Sequence, residues 1–191
     1  MSEIKTLAAP KASFDRRAVV KGAAWSVPVI AAAIAAPAAA ASELKATAAF
    51  TSATGKIKYH LRGSEGSPSN NKNGNGPTGF SIKNSVTGSI TGAISGTIII
   101  TPSTGGPDLS VYTLTSAGLP IALFADSDNT TGYRASFLTN STTIAPNGSL
   151  AFAMAFNFAA STPNGTGSMT ILLKFPGGRV LTLGPTTLSL G

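Results

Sequence analysis

Large and small side chains alternate most cleanly between Ser149 and Ala159. Leu150, Phe152, Met154, Phe156 and Phe158 take every second position, and Ala151, Ala153, Ala155, Asn157 and Ala159 fill the gaps. A pleated strand puts all five large residues on one side, whereas a helix scatters them around its circumference. The spacing therefore predicts a core strand with a small-residue face opposite. Lys56 to Arg62 alternates in the same way. Ile57, Tyr59 and Leu61 are expected inside, with Lys58 and His60 outside.

Further runs of β-branched and aromatic residues predict strands at 80–82, 109–114, 121–125, 133–138, 169–175, 180–183 and 187–190. The last two read as one strand bent at Gly184-Pro185. Within Gly88–Thr101, Ile90, Ile94 and Ile98 lie four apart, as on a helix. The interleaved glycines and β-branched residues favour extended chain instead. Turn clusters stand at Pro102–Pro107, Pro146-Asn147-Gly148, Thr162–Gly167 and Pro176-Gly177-Gly178. Gly63–Gly79 is almost wholly Gly, Ser, Asn, Pro and charge, with no apolar face to bury. It is expected to be a flexible loop. About eight or nine strands at short spacing predict an all-β fold, an antiparallel β-sandwich. It resembles the immunoglobulin-like architecture, without the Cys-Trp-Cys marker of a true immunoglobulin domain.

The first forty-one residues follow different rules. Lys5, Lys11, Arg16, Arg17 and Lys21 precede a run, Gly22–Ala41, that has no charged side chain. The run closes on small residues, and Ala38 with Ala40, or Ala39 with Ala41, suits a peptidase. The pattern is that of a helical signal peptide spanning 1–41, cut after Ala40 or Ala41, ahead of a secreted domain spanning 42–191. The alternative is an uncleaved anchor, since about 20 apolar residues span a bilayer. Alanine inserts poorly, however, and Pro28 and Pro37 interrupt a helix. Arg16-Arg17-Ala18-Val19-Val20-Lys21 resembles the twin-arginine export signal, with departures at Asp15 and Val19. Residues 21–30 also resemble signals of secreted actinobacterial proteins. The resemblances imply a bacterial, extracellular destination. They also imply passage through the twin-arginine or general secretory translocon and contact with a signal peptidase. The membrane is met only through the signal segment. No sorting motif, apolar tail or basic anchor precedes Gly191, so an unanchored product is expected.

The chain carries a net charge of +7, but the signal holds five of the basic side chains and two of the acidic ones. Residues 42–191 keep nine basic and five acidic side chains, a net of +4. Six of the basic ones fall between Lys45 and Lys83. Such a strip meets an acidic cell-wall polymer or simply keeps strand edges solvated. The solvated edge is the expected reading of the strip, a cell-wall polymer is the candidate partner class, and nucleic acid is not expected. The chain has no cysteine, which excludes disulfides, thiolate metal sites and cysteine nucleophiles.

Candidate chemistry is sparse. His60 is the one histidine, and no serine sits in a Gly-x-Ser-x-Gly elbow. Paired carboxyls for glycoside hydrolysis are not set apart, because Asp126 and Asp128 share a turn. Those two aspartates are the candidate calcium ligands. Thr131 and Phe137 stand where a helix-loop-helix calcium loop needs Gly and Glu, which favours a solvated turn. No tryptophan remains after the signal to stack a sugar, and the phenylalanines read as core. No catalytic or cofactor residue is expected, with calcium the one candidate ion. The expected role is non-enzymatic, in cell-surface structure or adhesion. The alternatives are a module binding a glycan or cell-wall polymer, and a hydrolase with a dispersed site.

Overall fold

The computed structural model describes residues 46–126 and 132–191. The export-signal residues Arg16, Arg17 and Lys21, the cleavage residues Ala40 and Ala41, and Asp128 lie outside the described residues.

Within them the chain is mostly strand, with turns and loops between. The strands are β1 (Ala46–Ser52), β2 (Ile57–Leu61), β3 (Lys72–Asn75), β4 (Pro77–Asn84), β5 (Ile90–Gly92), β6 (Ser95–Pro102) and β7 (Leu109–Ser116). They continue as β8 (Leu119–Pro120), β9 (Leu123–Ala125), β10 (Tyr133–Leu138), β11 (Thr142–Ile144), β12 (Ser149–Phe158), β13 (Gly165–Lys174) and β14 (Val180–Leu190). One 3-10 turn, Pro68–Asn70, interrupts them.

Twelve of these strands join edge to edge in the order β1-β4-β12-β2-β3-β14-β13-β6-β10-β9, with β7 and β8 branching from β12. β5 and β11 form a separate two-stranded ribbon. β12 is the junction. β7 covers one of its edges along Phe152–Phe158. Its other edge takes β4 beside Ser149–Ala153 and then β2 beside Phe156–Phe158. β2 and β3 then carry the sheet round to β14.

The curled sheet closes on its own apolar face, as a β-sandwich does. Phe80 of β4 stacks on Phe152 of β12 with ring centres 4.4 Å apart. Phe137 comes from β10, which is no hydrogen-bonded neighbour of either, yet lies 6.3 Å from Phe80 and 6.2 Å from Phe152. Two layers therefore share one core. Alternation produces it directly: Ile98 and Ile100 of β6, and Met169, Ile171 and Leu173 of β13, all point inward and are buried. Gly96 is the small member of that row. A Cβ there would sit 2.4 Å from the Phe137 ring, so glycine makes room for the aromatic. The Tyr133 hydroxyl donates to the Val111 carbonyl at 2.8 Å and ties β10 to β7.

Four expectations change. The ladder between β2 and β12 is parallel, so the sheet is not purely antiparallel. Residues 63–79 are not one loop, because β3 and the start of β4 lie within them. β3 buries almost nothing of its own and is held by backbone pairing to β2 and β14. Gly88–Thr101 holds two strands in two different sheets. The chain turns inward between them, where the Ile94 N–H donates to the buried Thr139 Oγ1 at 2.9 Å. The phenylalanines are not all core, since Phe124 is 66% exposed on β9.

Candidate functional site

One outward stretch of the sheet gathers most of the polar chemistry. Asn157 of β12 faces His60 of β2 on one side and Ser110 of β7 on the other. Period-two geometry places this row on the face away from the core. Asn157 and Ser110 are nonetheless buried, with 4% and 7% exposure. The chain leaving β2 covers them with Arg62 and Glu65.

The hydrogen bonds form a closed set. Ser110 Oγ donates to Asn157 Oδ1 and accepts from Arg62 Nη2 at 3.0 Å. Asn157 Nδ2 donates to Glu65 Oε1 at 2.9 Å, which also accepts from the Gly63 N–H at 3.0 Å. Arg62 grips Asp108 with both guanidinium nitrogens, at 3.1 and 3.3 Å. Planar forks of this kind fix geometry, while the exposure of both partners keeps the energy small. The Asn157 amide, followed by the backbone N–H groups of Glu65 and Gly63, holds the Glu65 carboxyl below its ordinary value.

His60 stands beside this set rather than in it. Its ring meets Tyr112 edge-on at 5.4 Å, and its Nδ1 is buried without a partner. Tyr112 reaches that position through a bulge. Thr113 pairs with Ala155 and Val111 with Phe156, which leaves Tyr112 as the extra residue. The bulge also turns both Val111 and Leu114 into the core. His60 is therefore half-buried on the outer face, where simple alternation expects solvent.

This arrangement does not activate a nucleophile. The Ser110 proton goes to an amide oxygen, which is no base at neutral pH, and Asn157 lies between Ser110 and His60. Among the described residues, recesses open elsewhere on the surface. One, about 300 Å³, is lined by Thr97, Ser136, Leu172, Lys174 and Val180 among others. Another, about 210 Å³, is lined by residues including Leu119, Ile121, Asn140 and Leu150. Neither lining includes a carboxylate or a histidine, and Lys174 is the one ionisable side chain in either.

Of the candidate calcium ligands, Asp126 is exposed at the end of β9, its backbone N–H donating to the Arg134 carbonyl at 2.8 Å. Among the described residues no cluster of three acidic or histidine side chains could hold a metal ion. The basic strip is dispersed. Arg62 is paired with Asp108. Lys72 lies over the Phe158 ring at 5.2 Å and donates to the Thr162 carbonyl at 3.1 Å. Lys83 sits opposite Ser149, at the far end of β12 from the β2 lysine, Lys58. Asn157, Ser110 and Glu65 were not singled out as a group by the sequence. The one local signal is that Asn157 breaks the alanine series in the strongest alternating strand.

No family model matches the chain, and no curated protein matches it. Among solved structures, it is similar to AvmM, which catalyses macrocyclization in alchivemycin A biosynthesis. That match is 9% identical with a TM-score of 0.41, over 76% of this chain and 88% of the other. A likeness at that level carries no assignment.

Proposed function

We propose that this chain is an exported, non-enzymatic β-sandwich that acts in cell-surface structure or adhesion. The observation behind this reading is the closed hydrogen-bond set around Asn157. Ser110, Asn157, Glu65, Arg62 and Asp108 satisfy one another, leaving no poised nucleophile or base among these five. Such a set clamps β2, β12 and β7 together, as suits a domain built for rigidity. The twin-arginine type of leader, its removal after Ala40 or Ala41, release into the medium and the immunoglobulin-like character of the sandwich belong to the same proposal.

A second reading is a module that binds a glycan or an acidic cell-wall polymer. Lys56 and Lys58, exposed close together at β2, favour it. To test these readings, the secreted protein is taken from the medium of the cells that make it. It is incubated with purified cell walls and with a broad panel of ester, peptide and glycoside substrates. The expected result is no turnover. Binding to walls that weakens with salt and with Lys58→Ala moves the role to the second reading. Turnover abolished by His60→Ala or Ser110→Ala overturns the non-enzymatic assignment.

A further inference from the structure

Large apolar side chains gathered on the outer face of a sheet mark a surface that meets something other than water. Phe124, Leu138 and Val180 are 66%, 58% and 62% exposed. All three stand on the outward face of β9, β10, β6, β13 and β14. Leu138 lies opposite Ser95, Ser95 opposite Lys174, and Lys174 opposite Val180. The next outward row runs from Phe124 through Ser136 and Thr97 to Leu172. Between the rows lie Phe137, Gly96 and Leu173, which face the core and leave backbone outside.

The outcome is a trough of about 300 Å³, at the small end of the range for ligand sites. It crosses β10, β6, β13 and the start of β14, so at about 4.8 Å per strand it is about 14 Å long. Apolar groups bank both ends, Phe124 and Leu138 at one, Leu172 and Val180 at the other. Ser95, Thr97 and Ser136 leave the middle low and hydroxylated, with Lys174 beside Val180. Among the described residues, the side chains of Ser95, Thr97, Ser136 and Lys174 have no hydrogen-bond partner. β1, into which residues 1–45 lead, pairs with β4 in the other layer. Residues 127–131 join β9 to β10 beyond Arg134, at the far end of β10 from Leu138.

This mixture selects among ligand chemistries. An extended peptide adds to a sheet through a free strand edge, and β10, β6 and β13 have both edges paired. A lipid chain would cover the hydroxyls without bonding them, at the cost of leaving polar groups dry. A sugar ring presents the matching surface. Its C–H face packs on aromatic and aliphatic side chains, and its hydroxyl rim bonds to short polar ones. No carboxylate lines the trough to repel an anion, and Lys174 stands ready to pair with one.

We propose that this trough binds a glycan segment roughly three rings long, with an acidic ring at the Lys174 end. The proposal rests on the second reading above, binding of a glycan or wall polymer, and moves its site from Lys58 to the outer face of β6 and β13.

The test screens the purified protein against an array of neutral and uronic-acid trisaccharides and against soluble glycan strands released from purified cell walls. Calorimetry then measures each hit. Binding of acid-bearing chains that weakens with salt is expected. Ser136→Ile fills the trough at an exposed strand position, so it should keep the wild-type circular-dichroism spectrum and weaken binding by about tenfold or more. Thr97→Val keeps the shape, removes one hydroxyl and should weaken binding by about fivefold. Lys174→Ala should cost about tenfold with an acidic chain and less than about twofold with its neutral counterpart. Lys58→Ala should change nothing. Binding that falls with Lys58→Ala and ignores Ser136→Ile and Lys174→Ala overturns this site while keeping the second reading. Binding of neutral chains alone, indifferent to Lys174→Ala, overturns the acidic assignment. No binding to any glycan overturns the site and the second reading together.

Discussion

Replacing Asn157 with alanine removes the hub of the outward cluster and should destabilise the domain without touching its apolar core. Asn157 is 4% exposed and joins Ser110 on one side to Glu65 on the other. Loss of the neutral bond to Ser110 costs about 0.5–1.5 kcal/mol, and a hydroxyl left buried without an acceptor costs about 1–3 kcal/mol. The two overlap, because Ser110 still accepts from Arg62, so the net is about 2 kcal/mol. Loss of the Asn157–Glu65 bond adds a further, pH-dependent part outside that sum, because the Glu65 carboxylate is exposed and can turn to water. In a domain of roughly 150 residues, about 2 kcal/mol lowers the melting temperature by about 4–8 °C. Calorimetry of the purified protein reads this directly. A cycle with Ser110→Ala supplies the check, since the double variant should be less destabilised than the sum of the singles by about 1 kcal/mol. The pH dependence follows from Glu65. A carboxyl held below its ordinary 4.5 in the folded state adds stability above that pH. The gain is lost as pH falls through the folded value. Asn157 is the largest cause of the depression, so the gap between wild type and Asn157→Ala should narrow below pH 4.5. A loss under about 0.5 kcal/mol, or an additive cycle, would refute the clamp reading.

Phe152→Ala should cost about 3–5 kcal/mol in urea unfolding, because it opens a cavity between Phe80 and Phe137 that the two layers cannot collapse to fill. Gly79→Ala should destabilise strongly despite adding one methyl. Its Cβ would lie 2.0 Å from the Phe152 carbonyl oxygen, and backbone in the β4–β12 ladder cannot move aside; a melting temperature within about 2 °C of wild type would contradict this. Burial pushes the Tyr133 hydroxyl up to about 12 and raises that of Tyr59 further. Both therefore favour the folded state below pH 10. That contribution should fade as pH climbs toward about 12, with phenolate absorbance from these two rising together with unfolding.

The strands legible in the sequence are those whose side chains sort themselves. β12 and β10 show their buried faces as alternation, because a strand with one side in the core must place apolar residues at every second position. β1 and β3 do not. Ala46–Ser52 has too little contrast between its faces to signal a strand, and Lys72–Asn75 has no apolar face at all. β3 extends because β2 and β14 supply its hydrogen bonds, and the Asn75 N–H finds Ser189 Oγ across 114 positions of chain. The Tyr112 bulge was equally hidden, since alternation assigns Val111 and Leu114 to opposite faces and the extra residue puts both inside.

The same limit governs the polar cluster. Asn157 reads as one more small outward residue, and Arg62, Glu65 and Asp108 read as ordinary surface charges. Burial of Asn157 depends on where the chain after β2 crosses the sheet, which no local pattern records.

The amino-acid order alone therefore settled that the chain makes pleated strands, and which side of the strongest ones faces the core. Those outcomes depend on neighbours two positions apart. Only the tertiary structure decided which strand edges meet and which outward side chains become covered. Each of those depends on contacts between residues tens of positions apart, and their favourable free energy exists only once the layers have closed.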